Sequence, residues 1–274
     1  GEQPNARRGF VAHRNVLYWL LRLGYPFRTT FLDSPDPARL KAAKLLIVPF
    51  PFSLKESEVG VIEEQAKSGK TVILMSELSP VDELGQPVAT PRLARLFGNQ
   101  RLDPSAEGAT EVAVGRGKVV FLGGDFAIRL FAETPPMRDP KGTVPLPAFD
   151  AARAETLARV LSGTLGGSAS LFAEQPAQDV EAALLGDGDQ RLLLLINWDP
   201  ARPAQARLRR EAVGAPKQAR GYAIKQDASV ATVSHDCSGD PWTVELAPQE
   251  AWLVRLTGRT TPVGARSRAG GEAQ

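Results

Sequence analysis

The 274-residue chain has one cysteine, Cys237, and only two histidines, His13 and His235. A single thiol excludes an internal disulfide, and two imidazoles with one thiol are too few for a Cys/His zinc site. Long apolar runs are equally scarce. The longest, residues 45–52 and 192–196, fall far short of the roughly 20 residues that a membrane-spanning helix needs. Neither sign of charge dominates: 33 Lys and Arg oppose 31 Asp and Glu, for a net charge of +2. That balance implies no strong polyanion, so neither nucleic acid nor a membrane is expected as a partner. Part of the basic excess sits late, at Arg259, Arg266 and Arg268. The chain opens Gly1-Glu2-Gln3-Pro4, without methionine or a charged-then-apolar leader, and so reads as a piece of something longer or as a processed form. What is present is ordinary globular material, 43% hydrophobic and 23% charged, long enough for two cores.

Periodicity divides the chain into two grammars. Residues 5–23 carry Phe10, Val16, Leu17, Leu20, Leu21 and Leu23 at helical spacing, with Gly24 as the stop. Residues 27–32 read as a short extended segment. Residues 44–48 and 71–75 are almost continuously apolar and are predicted to be adjacent, parallel and central strands, joined by one helix. Ser53-Leu54-Lys55-Glu56 has the form of a capping box for that helix, whose buried face is Val59, Ile62 and Ala66 before Gly69. A short helix is predicted over 90–97, ending at Gly98. A hairpin across Gly115-Arg116-Gly117 follows, pairing 111–114 with 118–122. A proline-dense loop at 135–147 precedes a helix from Phe149 to about Leu161, then Gly163 and the linker Gly166-Gly167-Ser168. From there, short runs at 180–185, 190–197, 205–208, 221–224, 242–246 and 251–256 succeed one another without helices, which argues a β-sandwich. The domain boundaries expected are 1–166 for an α/β domain and 167–257 for the sandwich, with 258–274 a disordered tail.

Ligands and nucleophiles of an open α/β sheet gather beyond the carboxyl ends of its parallel strands, here 49–53 and 76–79. Met75-Ser76-Glu77-Leu78-Ser79 lacks the flanking glycines of a nucleophile elbow. His13 precedes the whole sheet and His235 falls in a β loop, so no triad can be assembled around Ser76. Gly115-Arg116-Gly117-Lys118 and Gly123-Gly124-Asp125 match neither phosphate-loop form and read as turns. Asp125 suits a helix N-cap before 126–131 better than a sugar hydroxyl or a cation. Glu56, Glu58, Glu63 and Glu64 crowd one helix, and a solvated face explains them better than a glycosidase carboxylate pair. Tyr18, Trp19, Trp198 and Trp242 could stack on a sugar ring, but core packing is the commoner use of such residues. No catalytic, cofactor-binding or metal-binding residue is assigned.

The order of segments carries a resemblance. The stretch from His13 to Leu21, then Leu45-Leu46-Ile47-Val48-Pro49, Ser53-Leu54, Ser68-Gly69-Lys70-Thr71-Val72-Ile73-Leu74 and Leu93-Ala94-Arg95-Leu96-Phe97-Gly98 resemble the middle, trimerisation domain of bacterial barrel-type β-galactosidases. Gly117-Lys118-Val119-Val120-Phe121-Leu122-Gly123, the run 191–197, Val244-Glu245-Leu246-Ala247 and the run 251–256 resemble the closing stretch and small C-terminal β domain of the same proteins. The resemblance covers residues 5–257. It implies a flavodoxin-like or class I glutamine-amidotransferase-like parallel sheet with flanking helices, followed by a small antiparallel β-sandwich. In that family the catalytic carboxylates lie on a preceding barrel of about 250 residues, for which this chain has no room. What the resemblance implies is therefore a non-catalytic oligomerisation or scaffold module of a glycoside hydrolase. Its expected partners are further copies of itself or a catalytic barrel.

Two other readings stand beside it: a carbohydrate-binding module using exposed aromatics of the β region, and an independent hydrolase using Ser76. Self-association is expected through the opening helix, because Tyr18 and Trp19 are about 100° apart on its surface and one domain face can hardly bury both. The alternative is that Trp19 is covered within its own domain, under the proline-rich loop.

Overall fold

The computed structural model describes residues 4–98, 100, 102–131, 149–166, 170–174, 180–186 and 191–257. The proline-dense loop at 135–147, Gly167 and Ser168 of the linker, and the tail 258–274 lie outside the described residues. The chain separates into two compact units, Gly1–Ala169 and Ser170–Gln274.

The first unit is an α/β layer structure. Helix α1 (Pro4–Arg22) and the short α2 (Pro37–Ala42) precede β1 (Leu45–Val48), α3 (Glu56–Lys67) and β2 (Thr71–Met75). A 3₁₀ turn (Arg92–Phe97), the hairpin β3 (Ala109–Val114) and β4 (Gly117–Leu122), and α4 (Ala151–Leu165) complete it. The strand order is β1-β2-β4-β3, with β1, β2 and β4 parallel and β3 antiparallel at one edge. All five residues of β2 are buried, and their alternation explains why the strand needs to be apolar throughout. Val72 and Leu74 face α3 through Val59, Ile62 and Ala66. Ile73 and Met75 face α1 through Ala12, Val16 and Trp19, and α4 through Leu157 and Leu161. Helices thus cover both faces, as a parallel sheet requires.

Several expectations need correction. β1 and β2 are adjacent and parallel, but β1 is an edge strand and only partly buried. The short extended segment read at 27–32 joins no sheet. The cap of α3 is Lys55, not Ser53. The Lys55 N–H donates to Glu58 Oε2 at 2.6 Å, while the Ser53 hydroxyl donates to Asp82 O at 2.6 Å. Lysine offers no acceptor, so only the Glu58 half of a capping box can form. α4 runs through Gly163 to Leu165 and starts at the N-cap Asp150, which accepts from Arg153 N–H at 3.0 Å.

The second unit is an antiparallel sandwich. Strands β5 (Val180–Leu185), β6 (Arg191–Asn197), β8 (Gln218–Ile224), β9 (Val230–Asp236) and β11 (Ala251–Thr257) form a five-stranded sheet in the order β5-β6-β11-β8-β9. Strands β7 (Ala204–Leu208) and β10 (Trp242–Leu246) form a two-stranded sheet. Their inner faces share one core, with Ala206, Leu208, Trp242 and Val244 against Leu193, Leu195, Ala219, Val254 and Leu256. Strand β9 has no counterpart among the runs read from sequence. Its burial alternates between exposed and half-buried along its length, so it lacks the apolar inner face that would have revealed it.

Candidate functional site

Within the first unit, β2 and β4 end side by side, in register from Thr71 opposite Lys118 to Met75 opposite Leu122. Both strands leave the sheet through left-handed backbone, at Ser76 (φ 68°), Gly124 (φ 69°) and Asp125 (φ 54°). Non-glycine residues are uncommon there, and such positions cluster at functional sites. Ser76 is held in place from two sides. Its N–H donates to Leu122 O at 2.8 Å, and its hydroxyl oxygen accepts from Ala127 N–H at 3.1 Å. At Gly123 a Cβ would fall 2.3 Å from the Ala106 carbonyl oxygen, a close approach that glycine permits. Gly124 N–H donates to Pro104 O at 2.8 Å, stitching the loop of Asp103 to Glu107 over the strand end. From the other side, the buried Asn15 of α1 donates to Ala127 O (3.1 Å) and Ile128 O (2.8 Å).

The opening between these loops is a cavity of about 410 Å³ lined by Arg8, Ser76, Glu77, Asp103, Ser105, Glu107, Asp125 and Arg129, among others. Arg8, one helical turn into α1, bonds Asp125 Oδ1 at 2.5 Å and lies 3.7 Å from Glu77 Oε1. Its guanidinium also rests on the Phe50 ring, 5.3 Å from the centroid. Burial pushes the Glu77 carboxyl above its usual range; Arg8 opposes this and Asp125 adds to it. The site is thus a carboxylate pair gathered on one arginine. It can hold a ligand by hydrogen bonding, but Ser76 is 2% exposed and its hydroxyl faces a backbone amide rather than a base.

The residues singled out from sequence are mostly placed elsewhere. His13 bonds Gly9 O at 2.8 Å on α1, and His235, on strand β9 rather than in a loop, accepts from the Trp242 indole at 3.3 Å in the second unit. Asp125 is not an N-cap, because residues 126–129 form a turn rather than a helix; its carboxylate goes to Arg8 instead. Glu56 and Glu63 pair with Arg95, Glu63 also with Lys67 at 2.6 Å, and Glu58 caps α3. Gly115-Arg116-Gly117 is the hairpin turn, packed so closely that a Cβ on Gly117 would lie 2.2 Å from Lys70 O. Trp19 is fully buried and stacked on Tyr25, with ring centroids 6.1 Å apart, so the expectation that it faces a partner is wrong; Tyr18 is half-buried. Trp242 and Trp252 lie in the sandwich core and Trp198 is half-buried. Cys237 is buried, and its thiol is pushed up to about 11, first by burial. Among the described residues, no group of three or more His, Cys, Asp or Glu could hold a metal ion. Arg8 and Glu77 went unremarked in the sequence, where nothing local links residues 69 positions apart.

No protein-family model and no curated protein matches the chain in sequence. Solved structures do match in fold. The β-galactosidase from Bacillus circulans sp. alkalophilus aligns with a TM-score of 0.58 at 11% identity, over 91% of this chain and 38% of that one. The cold-adapted β-galactosidase from Rahnella sp. R3 gives 0.57 at 12%, over 89% and 36%. A GH42 β-galactosidase from G. stearothermophilus gives 0.55 at 12%, over 93% and 37%. The α/β unit followed by a β-sandwich is therefore a fold shared with part of these enzymes, and the chain spans well under half of their length.

Proposed function

We propose that the chain is a non-catalytic assembly module of a β-galactosidase-like glycoside hydrolase, with its α/β unit in the role of an amidotransferase-like oligomerisation domain. One observation carries the reading. At the strand ends, where an α/β enzyme would present its nucleophile, Ser76 is sunk below the surface against the Ala127 amide, and the adjacent carboxylates are gathered on Arg8. A group so engaged has neither a base to activate it nor access to a substrate. The fold shared with part of three β-galactosidases supplies the parent class. Self-association through α1 is part of this proposal. With Trp19 buried, the side chain it would use is Phe10, 63% exposed on that helix.

The test is direct. The purified chain, assayed on chromogenic galactosides and on glutamine, gives no turnover above background, and sedimentation velocity shows a self-associated species that Phe10→Ser weakens. Turnover that survives purification and disappears in Ser76→Ala overturns the non-catalytic reading. A strict monomer at high concentration removes the oligomerisation half.

A further inference from the structure

The cavity at the ends of β2 and β4 holds polar groups that the fold itself leaves unanswered. The Glu77 side chain is only 16% exposed, yet its carboxyl makes no hydrogen bond among the described residues. Arg8 Nη1 is 3.7 Å away, beyond hydrogen-bond reach, while Arg8 Nη2 bonds Asp125 at 2.5 Å. Arg129 lines the same cavity and is exposed, and its guanidinium has neither an ion pair nor a hydrogen bond among the described residues. The remaining acids are engaged: Glu107 pairs with Arg153, and Asp103 accepts from Ser105 N–H at 2.9 Å and from Ser105 Oγ at 2.6 Å. A carboxyl withdrawn from water without a hydrogen-bond partner costs free energy, and polar groups so buried are ordinarily answered by something.

The lining decides what chemistry can answer them. Apart from Pro104 and Gly124, the described residues around the cavity carry charged or hydroxyl side chains, so an apolar or aromatic ligand has little to bury against. A cation drawn to Glu77 would meet Arg8 beside the same carboxyl, and no group of described acids could hold a metal ion. An anion drawn to Arg129 would share the cavity with Glu77, Asp103 and Glu107. What fits both is a neutral group that gives a hydrogen to a carboxylate and accepts one from a guanidinium, and a hydroxyl does each. The volume of about 410 Å³ is that of a small-molecule site. We infer that this cavity binds a polyhydroxylated ligand, a free polyol or the end of a glycan, with one hydroxyl donating to Glu77 and another accepting from Arg129. Ser76 stays sunk against the Ala127 amide and takes no part, so binding brings no turnover. The inference adds a ligand to the α/β unit and holds whether or not the chain self-associates.

The probes are D-galactose, which presents its hydroxyls on a ring, and sorbitol, which presents them on an open chain. Each is titrated into the isotopically labelled full chain at neutral pH while the backbone amides of residues 76–77, 103–107 and 124–129 are followed by NMR. At least one of the two gives saturable shifts there, and the ratio of their affinities tells a glycan end from a free polyol. Glu77→Leu and Arg129→Leu each raise the Kd about tenfold or more. Neither side chain makes a bond within the chain, so both variants keep the parent's thermal transition, which separates lost recognition from lost folding. Permethylated galactose accepts but cannot donate, and it binds about tenfold more weakly, as do galacturonate and galactosamine. No saturable shift with either probe, or shifts that persist unchanged in both variants, overturns the proposal. So does a permethylated or charged analogue, or acetamide, that binds as tightly as the better polyol. The assembly reading is judged separately, by sedimentation without sugar and by its dependence on Phe10: a monomer that binds sorbitol keeps this inference and loses that one.

Discussion

Asn15 is where the opening helix holds the loop that carries Asp125. It is fully buried, and its amide nitrogen donates to Ala127 O at 3.1 Å and Ile128 O at 2.8 Å, while its own side-chain oxygen has no partner. Asn15→Ala removes two bonds and leaves two carbonyls facing a small cavity, at about 1–3 kcal/mol for each group left unsatisfied. It also removes the unpartnered oxygen, which returns about 1 kcal/mol of the same kind of penalty. The expected net loss is about 2 kcal/mol, or roughly 4–8 °C in the transition of a unit of this size. Asn15→Asp is worse at neutral pH, because a carboxylate would face two carbonyl oxygens. Its folded pKa is raised above the unfolded value, so the stability it retains is present below the unfolded pKa and is lost as pH rises through the folded pKa. The gap between Asp and Ala variants therefore narrows as pH falls toward 4. Calorimetry resolves the transition of the first unit, and amide exchange at residues 124–131 reads the loop itself. A loss below 0.5 kcal/mol for the alanine variant, or an Asp variant no more sensitive to pH than the parent, would refute this account of the helix-to-loop tether.

Two glycines should respond with opposite sign. Gly117→Ala places a Cβ 2.2 Å from Lys70 O and destabilises the first unit by about 2 kcal/mol or more, whereas Gly60→Ala, in open space inside α3, stabilises it by about 0.5–1 kcal/mol; thermal melts of the two variants compare them. Because Glu77 has a raised folded pKa, its contribution to stability is present below the ordinary glutamate range and is lost as pH rises through the folded value. Glu77→Gln removes that component, which a pH series of urea titrations on both proteins detects. Cys237, with its thiol pushed up to about 11, should stay unlabelled by iodoacetamide at pH 8 in the folded chain and react fully in urea.

The sequence by itself determined the elements whose burial is periodic. The unbroken apolar run of β2, the Val59, Ile62 and Ala66 stripe of α3, and the Gly115–Gly117 hairpin follow from side-chain spacing and backbone permissiveness, which are local properties. So does the change from alternating helix and strand to strands alone after α4. Only the tertiary structure decided that β1 stands at a sheet edge, since an apolar run says that a strand is covered but not how many neighbours it has. It alone buried Trp19 against Ile73 and Met75 of β2 and assigned Asp125 to Arg8 rather than to a helix. Each of these depends on residues distant in the chain. Arg8 and Asp125 are 117 positions apart, and their attraction acts only once α1 has packed on the face of the sheet whose strand ends carry the acid. The row Leu194, Leu253 and Tyr222 of the sandwich is built the same way: three strands distant in the chain supply one side chain each, and the pairing register sets them side by side.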